Sequence, residues 1–128
     1  MRPDGLWHPE LVSYVAAMGH GEEIVIADPG LPVPGVPRID LVWRAGEPAF
    51  LPVLTAVLEE LVVEAAFIAE EATDPALLAG LRNGLADIPT EQIPHDELKR
   101  RVRAARVVVR TGETTPYANA ILRCGVPF

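Results

Sequence analysis

Cysteine is almost missing from this chain of 128 residues. The single one, Cys124, excludes an internal disulfide framework and fits a reducing compartment. Aromatic residues are scarce, at 5% of a chain that is 49% apolar, so Val, Leu, Ile and Ala must build the core. Such a composition suits an α/β domain. Positive charge is the minority sign, with 11 Lys and Arg against 18 Asp and Glu and a net charge of −7. That balance argues against non-specific binding of nucleic acid or of an anionic membrane surface. No apolar run approaches the roughly 18 residues of a membrane span, and no basic segment followed by an apolar run opens the chain. The expectation is a soluble, cytoplasmic protein. Also absent are the Gly-x-Gly-x-x-Gly and Gly-x-x-x-x-Gly-Lys-Ser/Thr phosphate loops and the Gly-x-Ser-x-Gly nucleophile turn. With one cysteine and no closely spaced histidine pair, a zinc site is not expected.

What remains is a chain of a length that fits one domain, with helix and strand patterns in alternation. Pro9 to Met18 reads as a helix, with Leu11, Val12, Val15 and Met18 on one face and Gly19 able to close it. Ile24 to Ala27 is an apolar run of the kind found in a strand buried on both faces. Pro29 to Pro37 holds too many prolines for a ladder and reads as a stiff loop. Arg38 to Trp43 alternates as a strand, Leu51 to Leu61 repeats at helical spacing, and Glu64 to Ala69 reads as a buried strand. Asp74-Pro75 starts a third helix along Leu77, Leu78, Leu81 and Leu85. Ile93 to Glu97 opens a fourth, with Leu98, Val102 and Ala105 inward. Val107 to Val109 and Ala118 to Cys124 read as the last two strands. The predicted fold is α/β: a single three-layer domain, residues 1–128, whose mostly parallel central sheet is flanked by helices.

Two polar segments stand out. Gly19-His20-Gly21 precedes the first strand and Asp28-Pro29-Gly30 follows it. Arg110 to Asn119 gathers hydroxyls and an amide near the C-terminus. The expectation is that these segments build one small-molecule site. A histidine titrates near neutral pH and suits proton transfer, so His20 is a candidate acid/base, or a helix-end residue complementing the dipole. Asp28 lies at the strand edge where α/β sheets take ligands, and can hold sugar hydroxyls or simply make a turn. His95 at a helix start, like His8, reads first as a capping residue. The basic run from Lys99 to Arg110 holds six of the 11 Lys and Arg and reads as a solvated helix face. Thr111 to Asn119 offers donors and acceptors for a polyhydroxylated neutral ligand, or forms a polar loop.

Taken together, these segments give the chain a resemblance to the ribose pyranase and fucose mutarotase family, closer to its ribose branch. The matching stretches are Gly19-His20, Ile24 to Asp28 with Gly30-Leu31-Pro32-Val33-Pro34, Ile39-Asp40-Leu41 and Gly46 to Phe50. They continue with Pro94 to Lys99 and Arg110 to Leu122. Pro29, the short Pro34-Gly35-Val36 connection and the segment from Glu71 to Ile93 depart from the family text. The resemblance implies an isomerase that interconverts cyclic forms of a free monosaccharide, β-pyranose and β-furanose in the case of D-ribose, with no cofactor and no metal. It implies His20 as the catalytic acid/base, with Asp28, His95, Tyr117, Ala118 and Asn119 contacting the sugar. Lys99, one helical turn after His95, can join them. It further implies a ring-shaped homo-oligomer, a pentamer or a decamer of two pentamers, with sites near subunit boundaries and no nucleic acid or membrane partner. A mutarotase for L-fucose or another sugar, or a non-catalytic sugar-binding accessory, are the alternative readings.

Overall fold

A computed structural model describes all 128 residues. A single six-stranded sheet, in the order β2-β5-β1-β6-β3-β4, organises the chain. Its strands are β1 (Glu23–Ala27), β2 (Arg38–Asp40), β3 (Val63–Ala69), β4 (Thr90–Ile93), β5 (Val107–Arg110) and β6 (Ala120–Cys124). The helices are α1 (Pro9–Ala17), α2 (Phe50–Leu58), α3 (Pro75–Leu85) and α4 (His95–Val102). β2 runs parallel to β5, β5 to β1, and β3 to β4, while β6 is antiparallel to both β1 and β3. Only β6 therefore opposes the common direction, and the mostly parallel expectation holds.

Strand periodicity divides the core into two layers. Ile24 and Ile26, Val107 and Val109, and Ala120 and Leu122 face α1, α2 and α3. Val25 and Ala27, Val108 and Ile121 face the other way, onto Leu98 and Val102 of α4 and Leu31 of the proline-rich loop. A strand buried on both faces has no polar alternation to show, which is why Ile24 to Ala27 is continuously apolar.

Local chemistry sets the helix starts. His8 accepts from the Leu11 N–H and Pro9 occupies the first turn of α1, so the capping reading of His8 holds. Asp74 caps α3 through the Leu77 N–H at 3.0 Å, a contact worth about 1 kcal/mol. Four expected boundaries move inward, the first being α1, which ends at Ala17 and not at Met18. β2 ends at Asp40, α2 ends at Leu58, and β6 begins at Ala120. β4 was not expected at all: its pattern is three exposed residues and one buried, because it is the sheet's polar edge.

Candidate functional site

The C-terminal ends of β1, β5, β3 and β4, with the start of antiparallel β6, form one rim of the sheet. Open α/β sheets take ligands at this rim. Asp28 follows β1 there, Thr111 follows β5, Glu71 follows β3, His95 follows β4, and Asn119 precedes β6.

Asp28 and Asn119 lock together. Asn119 Oδ1 accepts the Asp28 N–H at 2.9 Å, and Asn119 Nδ2 donates to Asp28 Oδ2 at 3.2 Å. The backbone N–H fixes which end of the amide faces which group, since it must meet an oxygen. Asp28 Oδ1 in turn accepts the Gly30 N–H at 2.9 Å, so the carboxylate is held from both sides. Asn119 is only 1% exposed and Ala118 is fully buried. Both are therefore placed to support the rim, with Asp28 presented toward solvent.

Tyr117 adopts a positive φ of 62° and stands exposed above this pair. Its ring meets the His95 imidazole edge-on, with centroids 5.0 Å apart and planes at 78°. His95 is the first residue of α4, and its N–H donates to both oxygens of Glu71, at 3.0 and 2.9 Å. Its side chain does not cap the helix; Glu71 does. His95 Nδ1 is buried and makes no hydrogen bond within the chain. Lys99 instead pairs with Asp96 at 2.9 Å, which holds the Asp96 carboxyl below its ordinary range. The two border a recess of about 310 Å³ against Pro32 and Pro34.

The hydroxyl-rich loop is only partly what the sequence suggested. Thr111 is fully buried, and its Oγ1 donates to the Ala27 carbonyl at 2.9 Å. Glu113 accepts the N–H groups of Phe50, Thr114 and Thr115 at 3.0, 3.1 and 3.1 Å. Burial raises the Glu113 pKa, but these donors outweigh it and leave the carboxyl below its ordinary range. Glu113 thus ties the loop to the start of α2, and sequence reasoning gave it no such role. Gly112 makes the close approach possible, because a Cβ there would lie 2.6 Å from the Glu47 carbonyl oxygen.

His20 is elsewhere. It sits in the turn before β1, beyond the end of α1, with its side chain 59% exposed and Nε2 2.9 Å from Glu64 Oε2. The helix-end reading fails, since α1 ends at Ala17. Glu22 braces the turn by accepting the Gly19 N–H at 2.8 Å, and this bond with the Arg106 ion pair holds its carboxyl below the ordinary range. β1 lies between His20 and Asp28, and its five residues alone span roughly 17 Å at about 3.3 Å per residue. Asp28 and the Arg110 to Asn119 segment therefore meet at one rim, while His20 lies past the other end of β1: a strand's two ends point to opposite rims.

A larger recess, of about 650 Å³, lies between α3 and β4, with mostly apolar walls including Leu81, Leu85 and Ile88. It contains none of the residues above, so the rim chemistry and not cavity size marks the candidate site. Nowhere do three His, Cys, Asp or Glu side chains converge as metal ligands. No helix is long and apolar enough to cross a membrane.

Residues 1–127 match the family described as RbsD / FucU transport protein family. The chain belongs to the RbsD/FucU family. Within that family it is 48% identical over 132 residues to D-ribose pyranase 2 of Streptomyces griseus, covering 100% of both chains. It is 50% identical over 131 residues to D-ribose pyranase of Symbiobacterium thermophilum, again covering 100% of both. Among solved structures it superimposes on Bacillus subtilis RbsD complexed with D-ribose, with a TM-score of 0.95, 41% identity and 100% coverage of both chains. The family's six-stranded mixed sheet with four helices is the fold described above.

Proposed function

We propose that this protein is a D-ribose pyranase, an isomerase that interconverts the β-pyranose and β-furanose forms of free D-ribose. The observation that carries the reading is end-to-end identity of 48–50% to D-ribose pyranases, together with the close superposition on a ribose-bound relative.

The reaction needs proton transfer and positioning. Opening the pyranose takes a proton to the ring oxygen and removes one from the anomeric hydroxyl. The open-chain aldehyde rotates, and O4 then attacks the carbonyl in place of O5. An imidazole placed for such transfers contributes about 10²–10⁴-fold, enough for a reaction that already proceeds slowly in water. His20 takes that role, with Glu64 at 2.9 Å to orient its ring. Asp28, His95 and Tyr117 hold the sugar hydroxyls. Ala118 and Asn119 shape the wall behind them, and Lys99 borders the entrance beside Pro32.

Because His20 and Asp28 end on opposite rims, His20 of a second copy completes each site. A homo-oligomer is therefore part of the mechanism, and a ring in which each copy lends His20 to the next meets the requirement. Exchange NMR of free ribose tests the reading. Wild type accelerates pyranose–furanose exchange, and His20→Ala, in a turn whose braces are backbone and Glu22, folds normally with exchange reduced about 10²-fold or more. Undiminished exchange in that variant removes His20 from the chemistry. Saturable ribose binding without acceleration by wild type identifies a sugar-binding accessory, and faster anomer exchange of L-fucose than of ribose identifies the fucose activity.

A further inference from the structure

We infer that Glu71 is a positioning residue of the sugar site, acting through His95; this rests on the reading of His95 as a sugar contact. Glu71 lies just past β3, in the turn that leads to α3, and in sequence it is remote from every candidate site residue. Its carboxylate receives the His95 N–H with both oxygens, at 2.9 and 3.0 Å. α4 has no other side-chain cap: its N-cap is Pro94, whose ring offers no acceptor. A negative carboxylate at a helix N-terminus meets both the free N–H groups and the positive end of the dipole.

The consequence reaches the imidazole. The backbone of residue 95 is clamped by Glu71 while the ring is held edge-on by Tyr117, at 5.0 Å. Nδ1 is buried and without a partner in the chain, which leaves it for a ligand hydroxyl. The neighbouring strand ends are fixed by the same corner, since the Glu70 N–H donates to the Ile93 carbonyl at 2.9 Å. Losing the clamp lets the first turn of α4 drift. Displacement of a positioning group by about 1 Å is enough to lower turnover by up to about 10²-fold.

A double-mutant cycle on the full-length protein decides between positioning and simple helix capping. Ribose exchange NMR supplies kcat/KM, and thermal unfolding is recorded alongside. Glu71→Ala lowers kcat/KM about tenfold or more in the wild-type background, and less than about twofold in the His95→Ala background, because the two residues act as a unit. Glu71→Gln keeps a neutral acceptor on the His95 N–H and retains most of the activity, with a loss of about two- to threefold. Should Glu71→Ala not fold, Glu71→Asp, whose carboxylate is one methylene short of the His95 N–H, carries the same cycle. A lowered Tm with unchanged kcat/KM, or an equal loss in both backgrounds, overturns the inference and leaves Glu71 as a helix cap. If His95→Ala itself leaves exchange untouched, the role of His95 falls, and this inference falls with it, while the His20 chemistry stands.

Discussion

Replacing Asn119 with aspartate turns the best-defined contact of the rim against itself. Asn119→Asp keeps an oxygen for the Asp28 N–H, at 2.9 Å, but sets a second carboxylate where Nδ2 met Asp28 Oδ2 at 3.2 Å. Two unit charges at 3.2 Å and an effective dielectric of about 20 repel by about 5 kcal/mol. Asp28 is only half-buried, and solvent on its open side screens roughly half of that. Adding the lost hydrogen bond, about 1 kcal/mol, the variant is expected to be about 3–4 kcal/mol less stable at pH 8. The pair relieves itself by keeping one proton to about two pH units above the ordinary aspartate value of about 3.9. In that window the folded state binds more protons than the unfolded one. The penalty is therefore complete above about pH 6 and shrinks on acidification toward about pH 4. Urea denaturation of wild type and variant from pH 4 to 8, at one protein concentration, reads the difference directly. A loss under about 0.5 kcal/mol at pH 8, or a difference that does not change with pH, would refute the Asp28–Asn119 lock.

Two further outcomes follow from the loop behind Tyr117. Glu113→Gln weakens bonds to the N–H groups of Phe50, Thr114 and Thr115 and costs about 1–2 kcal/mol near pH 7. Since the folded pKa lies below the ordinary value, wild type holds this advantage above about pH 4.3 and loses it as pH falls through the depressed value; denaturation at pH 3 and 7 checks the sign. Gly112→Ala drives a methyl to within 2.6 Å of the Glu47 carbonyl, backbone against backbone. It is expected to lower stability by about 1–3 kcal/mol and to reduce ribose exchange by shifting the Tyr117 loop, measured by thermal unfolding and exchange NMR on one sample.

Much of the scaffold could be read from local chemistry. Ile24 to Ala27 and Val107 to Val109 are continuously apolar because both faces of their strands are covered, and His8 and Asp74 announce their helices by capping them. Thr90 to Gln92 gave no such signal, as an edge strand satisfies one side with solvent and needs no apolar alternation. Nor can alternation of helices and strands disclose that β6 runs against its neighbours in the middle of the sheet. At the site, the residue types were legible and the partners were not. Asp28 and Asn119 are 91 residues apart, and the Glu71 clamp on His95 joins two turns whose sequences carry no mark of each other. The separation of His20 from Asp28 was implicit all along in the length of β1. Placing those ends on opposite rims needed the strand set within the sheet.

Subunit complementation tests the proposed two-chain site most directly. His20→Ala and Asp28→Ala are prepared alone and as a co-expressed equal mixture, and ribose exchange is measured for each. If every site takes His20 from one copy and Asp28 from the next, about one site in four is intact in a random mixture. The mixture then recovers about a quarter of wild-type exchange, while each variant alone stays near the uncatalysed rate. A mixture no more active than either variant contradicts the shared site.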